Sequence, residues 1–208
     1  MTTFTDNLVA ACVADLARFG NGTKTETDDP QFTYVGEYWQ SIGEALDGRT
    51  EVNGKRPAWS SAFVSFCVRR AGAGTRFVYT KAHCHYVDAA MKLADGAASN
   101  HGWIARRHNQ RAPRVGDIIV AGREYAKSFD YDLARMTYQA DSFYPSHGDI
   151  VVKVSAGAIE TIGGNVTKDT VGRRVRQTNA DGTLKNVTAV KDGKTVSYPW
   201  ITVLECLL

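Results

Sequence analysis

Apolar residues recur at helical spacing in the first half of the chain and at strand spacing in the second. Phe4, Leu8, Cys12, Leu16 and Phe19 form one stripe that stops at Gly20, which predicts an opening amphipathic helix ended by glycine. The polar stretch 21–31 reads as a loop, and residues 35–46 predict a second, shorter helix closed by Asp47-Gly48. Phe63, Phe66, Cys67 and Val68 suit a buried helix running from Trp59 to Ala71 with Gly72 as its stop, and residues 82–94 predict another.

Beyond Pro113 the texture changes to β-branched runs: DIIVAG, DIVVKVS, AIETIGG, TVGRRVRQ and WITVLECLL, separated by turn residues. Helices first and strands later predict an α+β fold, with the helices packed on one side of a mostly antiparallel sheet. At 208 residues the chain fits a single domain, 1–208, large enough to bury a core without disulfides. Residues 124–145, rich in Tyr, Asp and Phe and without a clear period, read as a loop insertion between two strands, either a binding loop or lid or an ordinary surface excursion.

Composition narrows the function classes. With 43% hydrophobic and 23% charged residues, the disordered, collagen-like and coiled-coil classes drop out. A formal net charge of +3 does not indicate nucleic acid, although a weakly basic surface suits an anionic polymer such as cell wall. The alternating run Arg173-Arg174-Val175-Arg176 reads as a solvated strand face. Cys12, Cys67, Cys84 and Cys206 are far apart and form no C-x-x-C pair, so they read as reduced thiols. The first twenty residues contain Asp6 and Asp15 and lack both a basic lead-in and a long apolar run, so neither a signal peptide nor a membrane span is expected.

The segments PAWSSAFVSFCVRRAG, PRVGDIIVAG, SHGDIVVKV and ETIGGNV, in that order and spacing within roughly residues 35–166, carry a resemblance. They resemble the NlpC-type and CHAP-type papain-like cell-wall hydrolases, and more closely an NlpC-like family that bears only a domain-of-unknown-function label. The resemblance implies a papain-like fold and a nucleophile at the N-terminal end of a buried helix. It also implies a histidine base at the start of a facing strand and a polar residue on the next strand to orient it. Those positions fall on Ser60, His147 and Asn165. The departure is Ser60, which stands where such families have cysteine. The same resemblance suggests that His83, ahead of the following helix, lines the cleft.

A thiol with a reference pKa of about 8.5 can lose its proton to a neighbouring imidazole before substrate arrives, and a hydroxyl cannot. Ser60 would need its base to take the proton as the bond to substrate forms. The competing reading of Ser60 is a helix N-cap, and Ser61 is the fallback nucleophile if the register is off by one. Asp149 lies at i+2 from His147, on the same strand face, and competes with Asn165 for the orienting role. Asn165 also fits a Gly-Gly-Asn turn. Trp59 either walls the cleft or anchors the helix in the core. Cys84 between His83 and His85 is a displaced-nucleophile candidate, but adjacent helical residues diverge by about 100°, which favours packing. His83, His85, His147 and Asp149 could supply zinc ligands, without any recognised ligand spacing.

The leading expectation is a hydrolase of peptidoglycan amide bonds, an amidase or endopeptidase that needs no cofactor. The resemblance supplies the substrate class, a peptidoglycan peptide. A chain made in the bacterial cytoplasm without a classical signal suits an antibacterial effector delivered to the periplasm of a target cell by a secretion-machine carrier and matched by an immunity protein, or a phage lysis protein. Neither nucleic acid nor a membrane span is expected among its partners. Two alternatives stay open: a catalytically silent papain-like binding domain, and a metal-dependent hydrolase built on the four candidate ligands.

Overall fold

Six strands form one antiparallel sheet in the order β1-β8-β2-β3-β4-β5. They are β1 (Trp103–Arg106), β2 (Ile118–Gly122), β3 (Ser146–Ser155), β4 (Ala158–Val166), β5 (Thr170–Gln177) and β8 (Trp200–Cys206). A separate hairpin joins β6 (Val187–Lys191) to β7 (Lys194–Tyr198). This is a computed structural model describing residues 3–140 and 142–208. Five helices precede or interrupt the strands: α1 (Phe4–Arg18), α2 (Gln31–Gln40), α3 (Ser60–Ala71), α4 (His83–Ala94) and α5 (Tyr131–Gln139). The fold is α+β with a mostly antiparallel sheet, and among the described residues no helix is long and apolar enough to cross a membrane.

The strand period of two sorts side chains onto the two faces of the sheet. Ile118, Val120, Ile150, Ile162 and Leu204 join the main core beneath the helices, whereas Ile119, Val151, Ile159 and Val203 form a second cluster with Trp200 and Leu184 on the other face. α1 starts with a reciprocal capping box between Thr3 and Asp6. α3 is the central helix, packed against α1, α2, β3 and β4. Its Phe63 meets the Tyr38 ring edge-on at 5.5 Å.

What lets α3 sit directly on β4 is Gly164. A Cβ there would fall 2.5 Å from Phe63 Cβ and 2.6 Å from the Trp59 ring. Trp59 is therefore a core residue, fully packed, with its indole N–H donating to Glu26 at 2.5 Å.

Several elements differ from the sequence expectation. α2 begins at Gln31 and ends at Gln40, because Pro30 occupies its N-cap position and Gly43 turns the chain at φ +84°. Residues 124–145 contain a 3-10 turn, Glu124–Ser128, and α5, capped by Asp130 accepting from Leu133 N–H at 3.0 Å. Only Ala134 of α5 is buried, so its apolar stripe is too narrow to read. β1 and the exposed β6–β7 hairpin were not anticipated, since a four-residue strand and a solvated ribbon lack a long apolar alternation.

The α3–β4 contact gives a stability test. Gly164→Ala should cost about 1–3 kcal/mol by overpacking, and Phe63→Ala about 3–5 kcal/mol by opening a cavity. Urea unfolding measures both, and a loss below about 0.5 kcal/mol for Gly164→Ala would show that the helix can retreat from the strand.

Candidate active site

Ser60 is the first residue of α3 rather than its cap. Trp59 takes the N-cap position, and no side chain caps the helix there. The Ser60 hydroxyl instead lies 2.6 Å from Nε2 of His83, the first residue of α4. Ser61 is committed elsewhere, donating to the Thr80 carbonyl at 2.8 Å. The first bond of the α3 ladder runs from Phe63 N–H to the Trp59 carbonyl at 2.9 Å, so the helix does not consume the amides of Ser60, Ser61 and Ala62. The nucleophile candidate thus sits among backbone donors and the positive end of a helix, where a developing oxyanion would be stabilised.

Behind His83, its Nδ1 hydrogen-bonds the Tyr86 hydroxyl one turn along α4. For Nε2 to accept the serine proton, Nδ1 must carry the hydrogen and donate to the phenol oxygen. Burial pushes the Tyr86 phenol well above its usual range, so it remains a neutral acceptor. Burial, and next the neighbouring His147, drive His83 well below the ordinary histidine value, while Asp149 pulls it back up. The N-terminal end of α4 opposes an imidazolium in the same sense. His83 is therefore held in its neutral form.

A second imidazole faces the first, with the His83 and His147 ring centroids 5.5 Å apart. His147, near the start of β3, brings Nε2 to 3.0 Å from Asp149 Oδ1. Arg174 of β5 places one Nη2 at 2.5 Å and 2.6 Å from the two Asp149 oxygens and at 2.5 Å from His147 Nε2. Thr161 adds a bond to Asp149 Oδ2 at 3.3 Å. Since a guanidinium only donates, this geometry fits two tautomers: Nε2–H shared with Asp149, or an Nε2 lone pair taking the arginine proton. Burial alone would raise the Asp149 carboxyl, but His147 and Arg174 outweigh it and hold it well below the carboxylate range. His147 is lowered chiefly by burial, against the pull of Asp149.

Two clefts meet at His147. The smaller, about 430 Å³, contains Ser60, His83, Lys81, Phe143 and Ser146. The larger, about 780 Å³, contains Asp149, Arg174, Arg176 and Trp200. His147, Arg123, Lys127 and Asn165 line both. Asp149 shares its strand face with Val151 of the second cluster, so the larger cleft opens on the sheet face turned away from the helices.

The structure thus brings Ser60, His83, His147 and Asp149 together, but gives the Ser60 hydroxyl to His83 rather than to His147. Asn165 does not orient a histidine by hydrogen bond; its amide donates to Asp169 at 3.2 Å from a left-handed backbone, φ +51°. Trp59 is a core anchor. Cys84 is buried in the core, with burial pushing its thiol up. His85 is exposed and bonds Thr80 at 2.9 Å. Among the described residues, no group of three or more His, Cys, Asp or Glu side chains could hold a metal ion. Arg174 and Arg176 were read as a solvated face, but both turn onto Asp149, Arg176 at 3.6 Å. Their i, i+2 spacing on a strand was the available signal.

Comparison with protein families finds a match over most of the chain. A family model described as an uncharacterized protein conserved in bacteria (DUF2272) covers residues 23–206. No curated protein and no solved structure matches the chain.

The two lowered histidines fix the sign of a pH effect. The unfolded chain, with histidine near about 6.5, binds protons before the folded one as pH falls. Stability should therefore be full above that value and decline below it. Calorimetric melting between pH 7 and pH 5 should show a falling Tm, and His83→Gln should flatten the slope without abolishing it, because His147, His101 and His108 are lowered too. A slope unchanged in His83→Gln would mean that folding leaves the proton affinity of this imidazole unaltered.

Proposed function

The chain belongs to the DUF2272 family, whose description assigns no activity, and we propose that this member is a serine hydrolase of amide bonds in peptidoglycan peptides. The observation that carries the reading is the 2.6 Å contact between the Ser60 hydroxyl and His83 Nε2 at the start of α3. The substrate class rests on the resemblance of the segments around Ser60, Asp117, His147 and Asn165 to papain-like cell-wall hydrolases.

In the proposed reaction Ser60 Oγ attacks the carbonyl carbon while its proton passes to His83 Nε2. The oxyanion forms against the amides at the head of α3 that the helix itself leaves unused. Collapse breaks the C–N bond, and His83 returns its proton to the departing amine. Water then enters, gives a proton to His83 and cleaves the acyl-serine, regenerating the hydroxyl. His147 and Asp149 act as an electrostatic pair: the carboxylate offsets the imidazolium that forms transiently on His83. An effector delivered to a target periplasm, with an immunity partner, is the setting this activity fits.

Purified wall incubated with the protein, with released fragments identified by mass spectrometry, tests the proposal. Ser60→Ala and His83→Gln should each lower turnover by about 10³-fold or more. His147→Gln should lose less. A large loss in His147→Gln with activity retained in His83→Gln would transfer the role of base to His147. Full activity in Ser60→Ala would remove the serine mechanism, and loss in chelator restored by zinc would favour metal-dependent hydrolysis. In Ser60→Cys the thiol should be alkylated slowly at pH 7, because the imidazole beside it resists a proton. Rapid alkylation there would indicate a resting ion pair.

A further inference from the structure

The larger cleft carries more positive charge than its carboxylates neutralise. Arg123, Lys127, Lys168, Arg174 and Arg176 line it against Asp149 and Asp169. Asp149 is occupied by Arg174 on both oxygens, and Arg176 reaches it only at 3.6 Å. Asp169 accepts from Asn165. Donors remain: the Nε groups of Arg174 and Arg176 are buried and have no hydrogen-bond partner among the described residues. The Arg123 guanidinium, at the rim shared with the Ser60 cleft, makes no ion pair among them. Trp200 lies 5.5 Å from the Arg176 guanidinium and gives the cleft an apolar wall, against which a charge is screened less than in water.

Buried donors without acceptors and like charges held around one carboxylate are both costly, and an entering oxyanion would relieve both. Guanidinium groups match a two-oxygen anion better than a point charge does. We propose that this cleft is a subsite for a free carboxylate of the substrate, bound by Arg123 and Arg176 beyond His147, so that the protein selects peptides bearing a carboxylate near the bond presented to Ser60. This assignment rests on the amide-hydrolase reading for its choice of a peptide carboxylate. It deepens that reading by making charge, rather than sequence alone, the feature selected.

Calorimetric titration of the Ser60→Ala protein tests binding apart from turnover. The probes are two synthetic wall-type tetrapeptides, one with free carboxylates and one with those groups converted to carboxamides. The carboxylate peptide should bind about tenfold or more tightly than the carboxamide, and the advantage should shrink as salt rises. Adding Arg123→Gln or Arg176→Gln should erase most of that ratio while moving the carboxamide Kd less than about twofold. Arg123 is exposed and unpaired among the described residues, so its variant tests the subsite even if Arg176→Gln melts at lower temperature. Equal binding of the two peptides, no binding of either, or a ratio untouched by both variants would overturn the subsite. Tighter competition by inorganic phosphate than by acetate would overturn the choice of carboxylate. Discrimination without hydrolysis by the unmutated protein supports the subsite and removes the hydrolase reading. Hydrolysis of both peptides at equal kcat/KM does the reverse.

Discussion

Asp149 places a negative charge inside the protein, only 2% exposed, and the surrounding structure is shaped by the need to keep that charge paired. An unpaired buried carboxylate costs several kcal/mol or loses its charge to a proton. Here Arg174 meets both oxygens, His147 meets one, and Thr161 supplies a further donor. The pairing of β3 with β4 and of β4 with β5 brings these side chains together from three strands. Gly163 is required in the same arrangement, since a Cβ there would stand 2.0 Å from Asp149 Oδ1. Gly148 serves the other side, where a Cβ would meet the Tyr86 hydroxyl at 2.5 Å. Glycine in these strands is therefore a condition for bringing charged and polar side chains against backbone.

The α+β class and most of the strands were legible because their signals are local. The runs that became β2, β3, β4, β5 and β8 are β-branched and bounded by turn residues, and α1, α3 and α4 carry broad apolar stripes. Exposed elements were not legible, because a ribbon such as β6–β7 buries too little to impose a pattern. The candidate site was legible in its members more than in its bonds. Ser60 and His147 stand in recognisable surroundings, and Asp149 follows from strand period. The partnership of Ser60 with His83 depends on how the heads of α3 and α4 converge, 23 residues apart in sequence. No spacing rule encodes that convergence. Arg174 and Arg176 were misread because an alternating basic strand looks the same whether one face meets solvent or a buried carboxylate.

On the proposed hydrolase reading, the electrostatics also bear on why a serine can serve where the resembling cell-wall hydrolases have cysteine. A cysteine nucleophile works best as a thiolate beside an imidazolium that exists before substrate binds. Around His83 that resting ion pair is disfavoured: the ring is buried, His147 adjoins it, Arg123 adds positive charge, and α4 begins at that residue. A serine makes no such demand. Its proton moves only as the new bond forms, so the base must be neutral at rest and cationic only briefly. In the proposed reaction, the field that opposes a standing imidazolium would favour the oxyanion at the head of α3, and the Asp149 charge is near enough to offset the passing cation. Asp149 therefore couples the two halves of the candidate site: the charge that secures Arg174 and His147 in the sheet would also limit the cost of protonating His83 on the helix in the proposed reaction, which makes a neutral hydroxyl–imidazole pair the arrangement best matched to this environment.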